Sequence, residues 1–422
     1  MRPLGEHAPR RARGRDANAL GGRRRRAHVG RRRRRHDGCL RHRDQRRLWR
    51  VAHGEGGQHE DRRREGHRND RQHEWRRLSG YSLPQPRARR PDTRRSAKAQ
   101  GAWLHALRPH ARSRICRGMR GAREECPMSL LVVATYPVAG GPVLDGPVRV
   151  EPDGTVLIGG TRVPNAQGTS AMLGAACRVA AHLGTAAPHA LVAGDIGRGE
   201  GTREVYRHLA GTVARVRPSV IAFHYMQPIM ALMRTATEHL TTAAPDALLV
   251  ADAGGMYAAK AAGIASRFEL MTPDVGEVGF LADPSVSHPA YVSQYLFGTT
   301  GFDPVALAHK AYETGGASRV LLIKGARDHI VCEGELIDTV DEPCVPELEA
   351  IGGTGDTVTG LACGFLSAGF PTVDAAICAC KANREAGRVM GATPAMHARD
   401  LVAVLPEVLG EHLCRWSGAC AS

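Results

Sequence analysis

A break in composition at Pro127/Met128 divides the chain into a part that cannot build a core and a part that can. Residues 1–127 carry 37 Arg and 1 Lys against 13 Asp and Glu, a net charge of +25. Residues 128–422 carry 20 basic and 29 acidic residues, a net charge of −9, so the +16 of the whole 422-residue chain belongs to the front segment alone. That segment contains "GGRRRR", "GRRRRRHDG" and ten His, and no apolar run in it keeps a helix or strand period. Such a stretch has too little apolar surface to offset the entropy of ordering, and disorder is expected.

Three readings of residues 1–127 compete. A nucleic-acid-binding tail has charge in its favour, but aromatic interleaving, zinc-ligand spacing and a recognition helix are all missing, so nucleic acid is not the expected partner. A targeting peptide fits worse, because acidic residues are scattered through it and no apolar core follows the basic start. The expectation adopted is a mis-assigned extension, with translation beginning at Met128. The Arg to Lys ratio looks like codon bias outside a reading frame, whereas "PMSLLVVATYPVAGG" opens like an ordinary protein. Peptides from upstream of Met128 in the native protein would overturn this. The division expected is therefore 1–127, an extension, and 128–422, the functional domain.

The eleven Cys form no CxxC pair, which suggests reduced thiols and a cytoplasmic protein. No apolar run approaches the ~20 residues of a membrane span, so no membrane partner is expected.

From Met128 onward, short β-rich runs alternate with Ala-rich helical ones. "SLLVVATYPVAGG", "GTVLIGG", "HALVAGDIG", "PSVIAFHY", "DALLVADAGG" and "RVLLIKGARDHIV" read as strands. Between and after them, "GTSAMLGAACRVAAHLG", "GTREVYRHLAGTVARVR", residues 228–240 and 304–314, "DTVTGLACGFLSAGF", "TVDAAICACKANREAGRVM" and "ARDLVAVLPEVLGEHL" read as helices. In the second of these, Val205, Leu209 and Val213 recur four apart on one face. Alternation of this kind implies an α/β fold with a mainly parallel sheet covered on both faces. Ligands in such folds collect beyond the carboxyl ends of the strands.

Several polar motifs fall at such ends. In "IGGTGDTVTGL" (351–361), glycines permit close approach and successive backbone N–H groups at a helix start form an anion site. Asp356 would repel a phosphate there unless it has work to do, such as taking a proton; a simple helix cap is the alternative. No Lys-Ser/Thr follows the glycines, which excludes a Walker loop, and the spacing excludes a dinucleotide fingerprint. Lys324 and Gly325 close an apolar strand, where the ammonium could reach a polyphosphate. Glu277 in "ELMTPDVGEVGFL" begins a helix and could face a nucleotide's Mg²⁺ through water, or be only a helix-start carboxylate. Asp195 and Asp252 are further strand-end carboxylates and substrate-side candidates. His224, with no acidic or Cys partner nearby in sequence, is expected to be structural.

"TPDVGE" (272–277), "IKG" (323–325), "GGTGDTVTGL" (352–361), "ARDLVAVLP" (398–406) and "GTVLIGGT" (154–161) together resemble the ribokinase-like superfamily. More narrowly they are similar to its branch of ADP/ATP-dependent NAD(P)H-hydrate dehydratases and carbohydrate kinases. The resemblance implies a three-layer α/β/α fold with a mainly parallel central sheet. It implies ATP or ADP with Mg²⁺ as cofactors, Asp356 as the catalytic acid/base, and Gly352, Gly353, Thr354 and Gly355 as the turn under the phosphates. Lys324 and Gly325 would lie along the nucleotide, and Glu277 near phosphates and metal. The activity implied is removal of the C6 hydroxyl of a hydrated nicotinamide dinucleotide; phosphorylation of a small alcohol or sugar is the alternative, and binding of nucleic acid through residues 1–127 a second. Two positions depart from the dehydratase pattern: "CVPELEAI" stands where an Asn-Thr-Gly element usually precedes the glycine turn, and Asp274 replaces a histidine. The oligomeric state is left open, with a homo-oligomer among the possibilities.

Overall fold

The computed structural model describes residues 129–163, 167–286 and 303–418. The expectations for residues 1–127 and for a start at Met128 lie outside them.

Eleven strands form one sheet: β1 (Leu130–Tyr136), β2 (Leu144–Val150), β3 (Val156–Ile158), β4 (Thr161–Arg162), β5 (His189–Gly194), β6 (Val220–His224), β7 (Leu248–Ala251), β8 (Leu270–Met271), β9 (Val320–Ile323), β10 (Asp328–Cys332) and β11 (Glu335–Val340). Their order is β11-β10-β9-β8-β7-β6-β1-β5-β2-β3-β4. The central run from β5 through β1, β6, β7 and β8 to β9 is parallel. Antiparallel strands extend it at both sides.

The strands owe this place to being apolar on both faces. All seven residues of β1 are buried, and the two-residue period sends Leu130, Val132 and Ala134 into one core and Leu131 and Val133 into the other. Each such Leu or Val contributes about 1.5–3 kcal/mol by leaving water. The first core is closed by α1 (Thr169–Leu183), α7 (Thr354–Ser367), α8 (Thr372–Val389) and α9 (Ala398–Ser417). The second is closed by α2 (Glu200–Val216), α3 (Met230–Ala243), α4 (Ala253–Ala261), α5 (Val275–Ala282) and α6 (Pro304–Glu313). This is the three-layer α/β/α plan expected. Val205, Leu209 and Val213 of α2 are all buried, as their spacing requires.

Several elements differ from the sequence reading. "RVLLIKGARDHIV" is two antiparallel strands, β9 and β10, because Gly325 N–H donates to Asp328 Oδ1 at 3.1 Å and turns the chain. The turn is held from outside: Arg384 Nη2 donates to the carbonyls of Gly325 and Ala326, and its Nε pairs with Asp328 at 2.8 Å. Strands β2, β4 and β11 and helix α4 were not anticipated. Helix α4 starts directly after β7 because Asp252 caps it, accepting from Ala253 N–H.

Helices α1 and α7 are the pair that positions the site. A Cβ on Gly360 would lie 2.1 Å from Met172 O, so only glycine lets the two axes approach this closely. Both helices start at the carboxyl edge of the parallel strands, and their contact brings Gly168 beside Asp356.

Cys177, Cys332, Cys363, Cys378 and Cys380 are free thiols, as expected, and the last three are buried. Cys414 departs from that expectation: it is disulfide-bonded.

Candidate active site

The glycine turn precedes α7. Gly353, the helix cap, has φ 99°, and a Cβ there would meet Gln167 Cα at 2.9 Å and Ala398 Cβ at 3.0 Å. Thr354 closes the turn by donating its hydroxyl to Leu348 O and Ile351 O at 2.9 and 3.1 Å. The N–H groups of the first helical turn, Thr354, Gly355 and Asp356, have no intrahelical acceptor, and with the positive end of the helix dipole they make a cradle whose chemistry suits an anion. Lys324, at the end of β9, runs beside this cradle: a Cβ on Gly355 would be 3.6 Å from its Nζ. Thus the motif Gly352, Gly353, Thr354, Gly355 and Asp356 and the separately noted Lys324 occupy one place. Gly325 follows Lys324, but both its backbone polar groups serve the β9–β10 turn.

Asp356 is buried. Its Oδ2 accepts from Gly168 N–H at 3.0 Å, and its Oδ1 lies 3.0 Å from His224 Nε2. His224, fully buried at the end of β6, has its other ring nitrogen 3.2 Å from Thr169 Oγ1. It is therefore no isolated structural histidine: its partners come from α1 and α7, and Asp252 Oδ2 stands 3.8 Å from its Nε2.

Asp252 was a substrate-side candidate, but both its oxygens are committed inside the protein. Lys324 Nζ donates to Oδ1 and Oδ2 at 3.0 and 3.1 Å, Ala253 N–H to Oδ1, and Thr359 Oγ1 to Oδ2 at 2.6 Å. Thr272 Oγ1 lies 2.8 Å from Thr359 Oγ1 and completes a chain from β8 across α7 to β7. Burial pushes the Asp252 carboxyl up, but Lys324 and His224, with the bond from Thr359, outweigh it and hold it below the usual range. Burial likewise works against the Lys324 ammonium, yet Asp252, Glu277 and Asp356 raise it above an ordinary lysine.

Asp195, the other substrate-side candidate, is a loop anchor. Its Oδ1 accepts from the N–H groups of Gly197, Arg198 and Gly199, and its Oδ2 from Thr202 N–H and hydroxyl. Five donors on two oxygens leave it organising the start of α2. The loop it shapes packs against the loop after β6 at Gln227, whose N–H donates to Thr202 Oγ1. These loops and the start of α3 carry the exposed apolar residues Ile196, Tyr225 and Met230. Tyr225 has φ 45°, and its ring stacks edge-on against His224 at 4.4 Å. The Asp356 carboxylate, followed by burial, raises its phenol above the ordinary value.

Glu277 closes a capping box with Asp274 at the start of α5. Its Oε1 accepts from Tyr257 hydroxyl at 2.6 Å and its Oε2 from Asp274 N–H at 2.9 Å. Burial first, and the Asp274 and Asp252 carboxylates after it, push its carboxyl up to about 8 against the pull of Lys324. Near neutral pH such a carboxyl is mostly the neutral acid; a cation beside it favours the ionised form, whose oxygens suit Mg²⁺ and keep a lone pair each beyond the bond they accept. The ligand atoms of His224, Asp252 and Asp356 also lie within 4.8 Å of one another. There, however, Lys324 already supplies the cation that Asp252 requires.

A family model described as NAD(P)H-hydrate dehydratase, of carbohydrate-kinase type, matches residues 229–407. An uncharacterized protein of Methanocaldococcus jannaschii is 32% identical over 238 residues, spanning 56% of this chain and 98% of that protein. The chain belongs to the ribokinase-like superfamily. Solved ribokinase-like structures similar to it include the ADP/ATP-dependent NAD(P)H-hydrate dehydratase from Bacillus subtilis co-crystallized with ATP/Mg²⁺, at 17% identity and TM-score 0.38, covering 69% of this chain and 93% of that one. The pyridoxal kinase from Staphylococcus aureus in complex with AMP-PCP and pyridoxal is another, at 16% identity and TM-score 0.36, covering 60% and 85%. The family match begins at residue 229, so it covers Lys324, Glu277 and the glycine turn, whereas Thr169 and His224 lie before it. Among the described residues, no helix is long and apolar enough to cross a membrane.

Proposed function

We propose that this chain is an ATP- or ADP-dependent enzyme acting on a small molecule at the start of α7, and that its reaction is the dehydration of a hydrated nicotinamide dinucleotide. The observation that carries the reading is the union of an anion cradle and a buried carboxylate in one helical turn, Gly353 to Asp356, with Lys324 alongside. An aspartate in a phosphate turn is unfavourable by itself; Lys324 and His224 supply the compensation. The family match over residues 229–407 supports the dehydratase.

In this reading the polyphosphate lies on the N–H groups of Thr354 and Gly355 and against Lys324, which stabilise charge as a phosphoryl group moves. Asp356, held at both oxygens, takes the proton of the substrate hydroxyl. Tyr225, with Ile196 and Met230, provides an apolar wall for a flat ring on the substrate side. Mg²⁺ accompanying the nucleotide neutralises phosphate charge, and Glu277 would hold it through water.

Phosphorylation of a small alcohol is the second reading. It is favoured by the absence of an Asn-Thr-Gly element before the turn and uses the same Asp356. Full-length protein given ATP or ADP with NADH hydrate decides between them. Regain of the near-ultraviolet absorbance of NADH supports the dehydratase, whereas phosphorylated alcohol without any such regain excludes it.

A further inference from the structure

The hydrogen atoms around His224 can be counted. Thr169 Oγ1 lies 2.7 Å from Thr135 O. A carbonyl oxygen only accepts, so the hydrogen between these two oxygens is the one the Thr169 hydroxyl carries. That hydroxyl then has only lone pairs to offer His224 Nδ1 at 3.2 Å, and Nδ1 must carry a hydrogen. On the opposite side of the ring, Nε2 faces Asp356 Oδ1 at 3.0 Å. A neutral imidazole with its hydrogen on Nδ1 would set a lone pair against a carboxylate. A second proton must therefore lie between Nε2 and Oδ1.

The bonds of Asp356 place that proton. Gly168 N–H already donates to Asp356 Oδ2, and this bond favours the ionised carboxylate. The groups facing the His224 ring are Asp356 from α7, Asp252 from the end of β7 at 3.8 Å, and its own neighbour Tyr225; Lys324 from β9 pairs with Asp252. With Asp252 and Asp356 as anions, Lys324 alone leaves this buried cluster one negative charge in excess. The shared proton makes it neutral whichever of the two groups holds it; the bond from Gly168 N–H to the carboxylate, with the higher intrinsic basicity of an imidazole, puts it on His224.

We infer that His224 is the positioning residue of the acid/base Asp356: a ring with a hydrogen on each nitrogen, Nδ1–H turned to Thr169 and Nε2–H to Asp356, that fixes Oδ1 and offsets the carboxylate's charge beside the phosphate cradle. The inference rests on the reading of Asp356 as the proton acceptor of the reaction, though its geometry does not. Proton uptake by Asp356 leaves the cluster with one net positive charge next to the phosphoryl group, where it opposes the negative charge of the products. In chain order the residues that set this up, Thr135, Thr169 and His224, all precede the segment matched by the family model.

The test uses full-length protein with ¹⁵N-labelled histidine, the His224 signals being identified by their loss in His224→Gln. In the wild type at neutral pH both ring nitrogens are expected to show bound protons. In Asp356→Asn, where the amide can donate to Nε2, His224 is expected to become neutral with its hydrogen on Nδ1. A neutral His224 in the wild type, or an imidazolium unaltered by Asp356→Asn, overturns the inference whatever the reaction is. Should His224→Gln fail to fold, His224→Asn supplies the assignment. In whichever variant folds, turnover is expected to fall about 10- to 100-fold with nucleotide KM within about twofold, since the loss is in proton transfer; an unchanged kcat contradicts the positioning role. Absence of any turnover in the wild type would refute the proposed function and leave the spectroscopic result standing.

Discussion

Two clusters in this protein use nearly the same residue types at opposite levels of burial. At the surface, Asp145 on β2 accepts from His189 Nε2 at 2.7 Å, Arg215 Nη2 at 2.6 Å and Thr212 Oγ1 at 2.7 Å. At the carboxyl edge, two aspartates gather His224, Lys324 and Thr359. The Arg215 side chain is 57% exposed, whereas His224 is 0% and Asp252 2% exposed. Water and salt screen the first cluster, so its charges contribute little and risk little. The second has no screening, and losing any member strands a charge where it cannot be solvated. Apolar packing would serve stability as well, so it is the proposed chemistry that gives the inner cluster its reason.

The largest expected effect separates the clusters by function. Asp356→Asn should lower turnover about 10²- to 10⁴-fold, the range of a lost general base, while Asp145→Asn leaves turnover within about twofold. Steady-state rates on the two variants check it. Next comes stability. Lys324→Met leaves Asp252 buried without its cation and should cost about 3–5 kcal/mol in urea unfolding. Arg215→Ala should cost less than about 1 kcal/mol, and equal losses would abolish the distinction.

Acid sharpens the comparison further. Asp252 and Asp145 both have folded pKa values below the ordinary one, Asp252 because Lys324 and His224 outweigh burial, Asp145 because Arg215, His189 and Thr212 do. Each therefore stabilises the fold above the carboxylate's unfolded pKa, and that contribution is lost as pH falls through the lower, folded value. Lys324, raised in the fold, contributes up to the ordinary lysine pKa and loses that contribution as pH rises beyond it. The smallest effect is salt: about 1 M NaCl should remove most of the Arg215→Ala difference and leave the Lys324→Met difference nearly unchanged, as denaturation at both ionic strengths would show.

Much of this was legible in the sequence, for local reasons. Strands apolar on both faces announced a covered parallel sheet. The glycines before Asp356, and Lys324 at the end of "VLLI", stood out as a proposed phosphate site because backbone freedom and strand ends are local properties. What was hidden depends on pairing across the chain. His224 seemed solitary because Asp356 is 132 residues away and Thr169 55. Asp195 and Asp252 were read as open carboxylates because a sequence shows a charge at a strand end without showing the N–H groups, threonines or lysine folded onto it. The β9–β10 turn escaped notice because the arginine holding it, Arg384, lies two helices later.

The most direct test of the claim that one helical turn holds both phosphate cradle and base is calorimetric titration of ADP with Mg²⁺ into full-length wild type and Asp356→Asn. If the backbone N–H groups and Lys324 hold the nucleotide while Asp356 serves only the proton, affinity in the variant stays within about threefold or tightens, because a repelling charge is gone. A loss of more than about tenfold in ADP affinity would show that Asp356 is part of the nucleotide's own binding, and would contradict the division of labour drawn here.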